Sequence, residues 1–259
     1  MIGFRFDIDT RRGLVDRVPP LLDLLERFGM RATFFCVMGR EANLAEIVRL
    51  RLLADKSRKS PLNVEAKGGL LSIAKAALLP RAVGYRNGDL LREIIGRGHE
   101  LEPHGWSHIQ WQRNIDRIDV QKHLRLALDH HQRAAGRPAV GFASPGRTWN
   151  EAALDAFDEA GLLYVGDMDG TAPFRPAGRA HLQLPITRFE TMAEMRRRGL
   201  DESQIVETYV ADLEREYCCL YEHPDDVGDR ELAVFERLFQ HVQATRLEPV
   251  TLQEIAQAA

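Results

Sequence analysis

The segment IGFRFDID at residues 2–9 sets the pattern for the whole chain. Its apolar side chains are typical of a β-strand over Ile2–Ile8, and two carboxylates, Asp7 and Asp9, stand at the end of that strand. Because residues i and i+2 of a strand share a face, both carboxylates can face one pocket, and one of them then needs a cation to stay ionised. The alternative is that Asp9 and Thr10 only begin the next helix as a cap or turn.

Working outward from this strand, short β-prone runs alternate with helical patterns. Repeated alternation predicts a parallel sheet with helices outside it, and 259 residues suit one domain, 1–259, built as a closed or nearly closed barrel. In such folds the chemistry lies at the carboxyl ends of the strands. Later strands are expected at Ala32–Met38, His99–Pro103, Ala139–Ala143, Leu162–Val165, His181–Ile186, Tyr217–Glu222 and Glu248–Thr251. Helices are expected at Val18–Phe28, Asp89–Gly98, Asp119–Ala135, Glu151–Ala160, Glu202–Glu214 and Arg230–Gln243.

The composition is that of a folded, globular protein with a net charge of −3. A near-neutral balance and 7% aromatic residues argue against a nucleic-acid partner. No apolar run is long enough for a membrane span, and the chain starts directly in a strand pattern without a cleavable signal. Three cysteines, two of them adjacent, do not make a disulfide framework. These features predict a cytoplasmic protein of enzymatic size.

One long connection, residues 39–88, interrupts the alternation of strands and helices. Residues 40–86 hold ten basic and four acidic residues, a balance of +6, which leaves −9 for the rest of the chain. Helices are expected at Asn43–Ala54 and Gly69–Val83, and the second combines apolar residues with Lys67, Lys75 and Arg81. A basic amphipathic helix is typical of a membrane-surface element, although it can equally cover the barrel with its charges solvated.

Histidines follow two of the expected strands. His104 and His108 are four residues apart, so they can share one face of a helical turn and bind one metal ion, although such a spacing also occurs by chance. His223 ends the strand at Tyr217–Glu222 and is a candidate general acid or base, or else a packed histidine. His130 and His131, in the middle of a helix, are interpreted as surface residues.

Two further strand ends complete the pattern. The loop Ala143-Ser-Pro-Gly-Arg147 can present backbone N–H groups, and Asp167 follows another strand. Taken together, the Asp pair, the H-x-x-x-H, this loop, Asp167 and Leu220-Tyr-Glu-His223 make the chain resemble the polysaccharide deacetylases, the NodB-homology group of carbohydrate esterases. The resemblance covers most of the chain and implies a distorted (β/α)7–8 barrel, here with a helical insertion, that binds a divalent metal.

The resemblance is closest to a branch that removes formyl or acetyl groups from amino sugars carried on undecaprenyl phosphate. Three features match that branch: the Asp-x-Asp motif, the insertion 39–88, and Gly170-Thr-Ala-Pro-Phe-Arg-Pro176. The branch implies a lipid-linked amino-sugar substrate for lipid A or envelope modification. It also implies a peripheral position on the cytoplasmic face of the inner membrane, with 39–88 against the anionic surface. The oligomeric state stays open.

The resemblance also implies roles for single residues. Asp9, His104 and His108 would bind the metal, expected to be Zn²⁺ with Co²⁺, Mn²⁺ or Ni²⁺ as alternatives. Asp7 would be the general base, and His223 would protonate the leaving amine. Gly146 and Arg147 would line the oxyanion and substrate loop, and Asp167 would support the site from behind.

The chain departs from the family at one position. Typical members have an Arg two residues before the proline of the third motif, and this chain has Ala143 there, so neither that Arg nor the usual partner role of Asp167 can be carried over directly. Two alternative functions stay open: a deacetylase of soluble chitin- or peptidoglycan-like oligosaccharides, and a metal-lacking relative that only binds a sugar or lipid. Between the two acyl groups, the different third motif favours N-acetyl over N-formyl.

Overall fold

The structure is a computed structural model that describes residues 1–41 and 81–259. The first strand has the predicted bounds, and most later strands are shorter than the sequence suggests. The strands in this part of the chain are β1 (Ile2–Ile8), β2 (Thr33–Cys36), β3 (Glu100–Pro103), β4 (Gly141–Phe142), β5 (Tyr164–Val165), β6 (Leu182–Gln183) and β7 (Cys218–Glu222).

The strands form two parallel sheets, one with the order β3-β2-β1-β7 and one with the order β4-β5-β6. Single backbone hydrogen bonds link the sheets at both seams. The Ala143 N–H donates to Pro103 O at 3.3 Å, and the Thr187 N–H donates to Cys219 O at 3.0 Å. The predicted α/β class with a parallel sheet is therefore confirmed. The strands succeed one another in chain order around a common interior, but within the described residues no continuous ladder crosses the two seams.

Helices join most of the strands, and five of the nine described helices begin at a side-chain cap. Asp119 accepts a hydrogen bond from the Lys122 N–H, and Asn150 does the same for Ala153, as expected for N-cap residues. Within the described ranges, no helix is both long and apolar enough to span a membrane. The helices are α1 (Val18–Arg27), α2 (Gly88–Gly96), α3 (His108–Asn114), α4 (Val120–Ala135), α5 (Glu151–Glu159), α6 (Met192–Arg197), α7 (Glu202–Leu213), α8 (Asp229–Thr245) and α9 (Leu252–Ala258).

The two faces of β1 have different neighbours. On the outer face, the ring of Phe4 packs 5.2 Å from that of Phe239 in α8, and Phe6 stacks on Phe34 of β2 at 5.2 Å. The alternate residues Arg5 and Asp7 are also buried, but they point to the barrel interior. One strand thus anchors the helical layer with aromatic rings and carries charged groups on its other side.

The register of the parallel strands places the site. Ile8 lies opposite Cys36, and Cys36 lies opposite Pro103, so the residues that follow β1, β2 and β3 emerge side by side. Strand β7 pairs with the other edge of β1, with Glu222 opposite Phe6. The carboxyl ends of these strands therefore meet at one end of the sheet.

One expected strand is absent from the described structure, and two expected helices fall wholly or mostly outside the described residues. No strand forms at Glu248–Thr251 in the described structure: Pro249 makes an isolated bridge to Ile2, and Thr251 caps helix α9, because its hydroxyl and Glu254 make a capping box. Residues 42–80 of the connection 39–88 lie outside the described residues. The expected helix Asn43–Ala54 and most of the expected helix Gly69–Val83 fall in this part of the chain. The described end of the latter is extended, since Ala82 makes an antiparallel bridge with Arg40.

Glu222, at the end of β7, is a buried carboxyl group on the outer side of the sheet. It is 3% exposed, accepts the Met192 N–H at 2.6 Å, and accepts a hydrogen bond from the Tyr209 hydroxyl. Burial raises the pKa of Glu222 from 4.5 to about 7. The folded state therefore holds a proton on this group that the unfolded chain releases near pH 4.5.

This pKa predicts how stability depends on pH. Because the folded pKa lies above the unfolded value, the stabilisation is complete below about pH 4.5 and is lost as the pH rises toward 7. We expect the free energy of unfolding of the wild type, measured with urea, to fall by about 3 kcal/mol between pH 5 and pH 8 because of this group. Glu222→Gln should not show this fall. The matched control is Glu207→Gln at an exposed position of α7. Parallel pH profiles for wild type and Glu222→Gln would contradict this assignment.

Candidate active site

The carboxyl ends of β1 and β3 bring one carboxylate and two imidazoles together. Asp9 Oδ1 lies 3.3 Å from His104 Nε2, and Asp9 Oδ2 lies 3.5 Å from His108 Nε2. Ligand atoms of the three residues all lie within 4.8 Å of one another. The predicted convergence is present, but not on a helical turn: His104 follows β3, the chain turns at Gly105 with φ +78°, and His108 begins α3.

The donor set fits a divalent metal ion. His104 Nδ1 lies 2.8 Å from the carbonyl oxygen of Ala143, which can only accept, so Nδ1 carries the proton and Nε2 presents a lone pair toward Asp9. Asp9 Oδ1 is buried and has no hydrogen-bond partner among the described residues. One carboxylate and two imidazoles are the donor types of catalytic Zn²⁺ sites, in which further positions stay open.

The electrostatics also favour a cation. Burial acts to raise the pKa of Asp9, but His108 and His223 outweigh it and hold that pKa well below its ordinary value. Burial acts to lower the pKa of His104, but the carboxylates of Asp7 and Asp9 raise it overall. The cluster therefore stabilises positive charge at the place where a metal would bind.

Asp7 sits behind this cluster and is paired with Arg5. The Arg5 Nε–H donates to Asp7 Oδ1 at 2.9 Å, and its NH2 group donates to Oδ2 at 2.8 Å. Oδ2 also faces His104 Nε2 at 3.8 Å. Burial acts to raise the pKa of Asp7, but Arg5 outweighs it and keeps that pKa low. The cation that the sequence requires beside two close carboxylates is thus present within the strand itself.

His223 closes the opposite side of the site. It follows β7, and its Nε2 lies 3.4 Å from Asp9 Oδ2. The same nitrogen lies 2.8 Å from the hydroxyl of Tyr221, so that hydroxyl fixes the direction of the ring. All five residues expected in the site, Asp7, Asp9, His104, His108 and His223, therefore surround one small space.

The loop after β4 packs against the histidine turn. A Cβ on Gly105 would lie 3.0 Å from the ring of Pro145, and Gly146 has φ +60° with the Gln112 side chain against it. Both contacts place the loop directly beside His104. The Arg147 N–H donates to Ser144 O at 2.9 Å, so this N–H is already used, and Gly146 is the candidate that remains for an oxyanion donor.

Arg147 and Asp167 each have another partner. Asp167 is buried and accepts hydrogen bonds from the N–H and the hydroxyl of Ser144, so it anchors the loop. Burial raises the pKa of Asp167 to about 6. The Arg147 guanidinium binds Asp169 at 2.7 Å and lies over the ring of Phe189. Arg147 therefore does not replace the arginine missing at Ala143.

A family model described as polysaccharide deacetylase matches residues 1–165. The chain belongs to the polysaccharide deacetylase family. A protein of Shewanella sediminis, named "Probable 4-deoxy-4-formamido-L-arabinose-phosphoundecaprenol deformylase ArnD", is 28% identical over 193 residues. The match covers 72% of this chain but only 62% of that relative, less than two thirds of its length.

Solved structures share the deacetylase fold. A "probable Polysaccharide deacetylase" from Pseudomonas aeruginosa superposes with a TM-score of 0.68 at 18% identity, covering 99% of this chain and 89% of the other. A family 4 acetyl xylan esterase from Clostridium thermocellum, solved with a cobalt ion, gives a TM-score of 0.58 at 15% identity, covering 99% and 90%. These neighbours support the α/β deacetylase architecture over nearly the whole chain.

Sequence reasoning missed two residues that contact the site residues, and it gave the wrong environment for His131, which lies in α4. Arg5 stands two residues before Asp7 in β1, and Tyr221 in β7 stands two residues before His223, a spacing that alternation could have indicated. His131 was expected at the surface but is fully buried, with Nε2 2.9 Å from Leu101 O. Its neighbour His130 lies on the other side of α4, where its ring packs 4.8 Å from that of Trp106.

The donor set predicts metal binding that depends on single residues. Calorimetric titration with Zn²⁺ or Co²⁺ should give one site in the wild type and none in His108→Ala or His104→Ala. Saturating metal at about 100 times Kd should stabilise the wild type by about 2.7 kcal/mol, measured by thermal unfolding with and without a chelator. His241→Ala, on α8, is the control that keeps the site. Full stoichiometry in His108→Ala and His104→Ala would remove these residues from the ligand set.

Proposed function

We propose that this chain is a metal-dependent hydrolase that removes an N-acyl group from an amino sugar carried on undecaprenyl phosphate. The observation that carries the proposal is the cluster of Asp9, His104 and His108 with a second carboxylate, Asp7, beside it and His223 across from it. The named relative from Shewanella sediminis supports the substrate class, and the deacetylase family supports the reaction.

Asp9, His104 and His108 would hold the metal, for which the donor types favour Zn²⁺. When bound, such an ion lowers the pKa of water and polarises an amide carbonyl. Asp7 would accept the proton of the attacking water. It suits this role because Arg5 keeps its carboxylate ionised and its Oδ2 faces the metal ligands.

His223 would supply the proton for the leaving amine. An amine that leaves without a proton is a poor leaving group, so amide hydrolysis needs such an acid. The Nε2 atom of His223 faces the site at 3.4 Å from Asp9 Oδ2, and Tyr221 holds the ring in that direction. The N–H of Gly146, in the loop packed on Gly105, would stabilise the negative oxygen of the tetrahedral intermediate.

The test is turnover of defined lipid-linked substrates, followed by mass spectrometry. Polyprenyl-phosphate sugars with N-acetyl or N-formyl groups are incubated with the metal-loaded protein, and the free amine product is measured. We expect product from the lipid-linked sugars, with N-acetyl favoured, and little from chitin or peptidoglycan fragments. Product from the soluble fragments alone would instead support the alternative substrate class. No product from any of them would contradict the activity.

One substitution tests the general base. Asp7→Asn should reduce kcat by about a hundredfold or more, because the amide cannot accept the water proton, while metal stoichiometry stays at the wild-type value. Asp129→Asn, an exposed position of α4, is the matched control. Turnover of Asp7→Asn near the wild-type rate would refute the role of Asp7.

We also propose that the basic connection 39–88 holds the protein at the cytoplasmic face of the inner membrane. Its charge balance opposes that of the rest of the chain, and its apolar residues have helical spacing. A lipid-linked substrate would then be presented to the site from the membrane surface.

Vesicle sedimentation tests this association. The full chain should sediment with vesicles that contain phosphatidylglycerol, and the bound fraction should fall as salt screens the charges. The double change Lys67→Glu and Lys75→Glu should weaken binding, at about 1 kcal/mol for each basic residue lost. Lys122→Glu, an exposed site on α4, is the control. Absence of binding at low salt would exclude the membrane role.

A further inference from the structure

Arg5 is a fully buried cation in the middle of β1. Its side chain is 1% exposed, and residues before and after it in the strand are aromatic. Burying a guanidinium is costly unless charge and hydrogen bonds offset the loss of water. Phe4 and Phe6 pack on the opposite face of the strand, so Arg5 must find its partners in the interior. The contacts of the Arg5 guanidinium indicate its role.

The guanidinium is held on every side. Nε and Nη2 donate the two parallel hydrogen bonds of the fork to the Asp7 carboxylate, and Nη1 donates to the carbonyl oxygen of Gly166 at 2.7 Å. The ring centroids of Phe35 and Tyr221 lie 4.9 Å and 5.4 Å from its central carbon. A planar fork between two rings fixes both the place and the orientation of the carboxylate it binds.

Gly166 shows that the surroundings accommodate Arg5. A Cβ atom at this position would lie 2.4 Å from NH1 of Arg5, closer than any side chain can approach. Only glycine lets the guanidinium reach the backbone here. Arg147, the other arginine near the loop, binds Asp169 instead, so Arg5 supplies the fork on Asp7.

The fork separates the two carboxylates at the end of β1. Asp7 and Asp9 share a face of the strand, and Asp7 Oδ2 comes within 3.8 Å of His104 Nε2. Without a partner, Asp7 could turn toward a metal bound at His104 and become a further ligand. With both oxygens held by Arg5, Asp7 is kept beside the metal position, while Asp9 keeps a buried oxygen that lacks a hydrogen bond.

We infer that Arg5 is a positioning residue that reserves Asp7 for proton transfer by preventing it from coordinating the metal. The inference rests on the proposed function, because it assigns a reason to the geometry of the base in that reaction. Its consequence is an open position on the metal for water, which a second carboxylate ligand would occupy.

The test compares Arg5→Lys with wild-type protein, both loaded with Co²⁺. Lysine keeps the charge but cannot make the two-bond fork. We expect one Co²⁺ per chain, a changed Co²⁺ d–d absorption spectrum as Asp7 joins the ligands, and a fall in kcat of about a hundredfold with KM nearly unchanged. The matched control is Arg188→Lys. Arg188 makes the same fork on the buried Asp212, through Nε at 2.6 Å and Nη2 at 3.1 Å. The Arg188→Lys variant should have the wild-type spectrum and the wild-type kcat.

A second variant keeps the inference testable if Arg5→Lys does not fold. Gly166→Ala leaves Arg5 in the chain but pushes NH1 from its place, and it should change the Co²⁺ spectrum in the same direction. A folded Arg5→Lys or Gly166→Ala protein that binds Co²⁺ with the wild-type spectrum would overturn the inference, whatever its kcat. The spectrum needs no substrate, so it decides the role of Arg5 even if the wild type cleaves no N-acyl sugar, a result that would count against the proposed function alone.

Discussion

The repulsion between two carboxylates at the end of one buried strand is the constraint on which the rest of the site depends. Asp7 and Asp9 lie on the same face of β1, and neither is well solvated. Each needs its own positive partner, and the structure provides different ones. Asp7 receives a fixed guanidinium from within the strand, whereas Asp9 receives imidazoles from neighbouring strand ends. This division makes two chemically identical side chains unequal.

Parallel pairing makes that arrangement possible. Because β1, β2, β3 and β7 run in the same direction with aligned ends, short segments after each strand reach the same space without long loops. Asp7, Asp9, His104 and His223 therefore lie on a buried strand or directly after it, and His108 begins α3. The second sheet contributes through the loop after β4, whose carbonyl at Ala143 orients His104. The backbone of one sheet thus sets the tautomer of a side chain on the other.

The strand ends that carry the chemistry could be predicted from the sequence because alternation and residue type act locally. The bounds of β1, the convergence of the Asp pair with His104, His108 and His223, and the need for a cation beside one of the two carboxylates follow from such local rules. What failed depends on tertiary contacts. His131 is buried because α4 packs on β3, and Pro249 makes only one bridge because Thr251 begins a helix.

The pairing at the two described ends of the long connection has a consequence for how such proteins can diversify. Arg40 and Ala82 form an antiparallel bridge, with the Val83 N–H bonded to Gly39 O and the Glu41 N–H to Arg81 O, so the chain leaves and re-enters the domain at one point, like the base of a hairpin. An insertion whose two ends pair in this way can become longer, become shorter or be replaced without moving β2 or α2. The sequence of this connection could therefore change over evolution while the strand ends that carry Asp7, Asp9 and the histidines stay as they are.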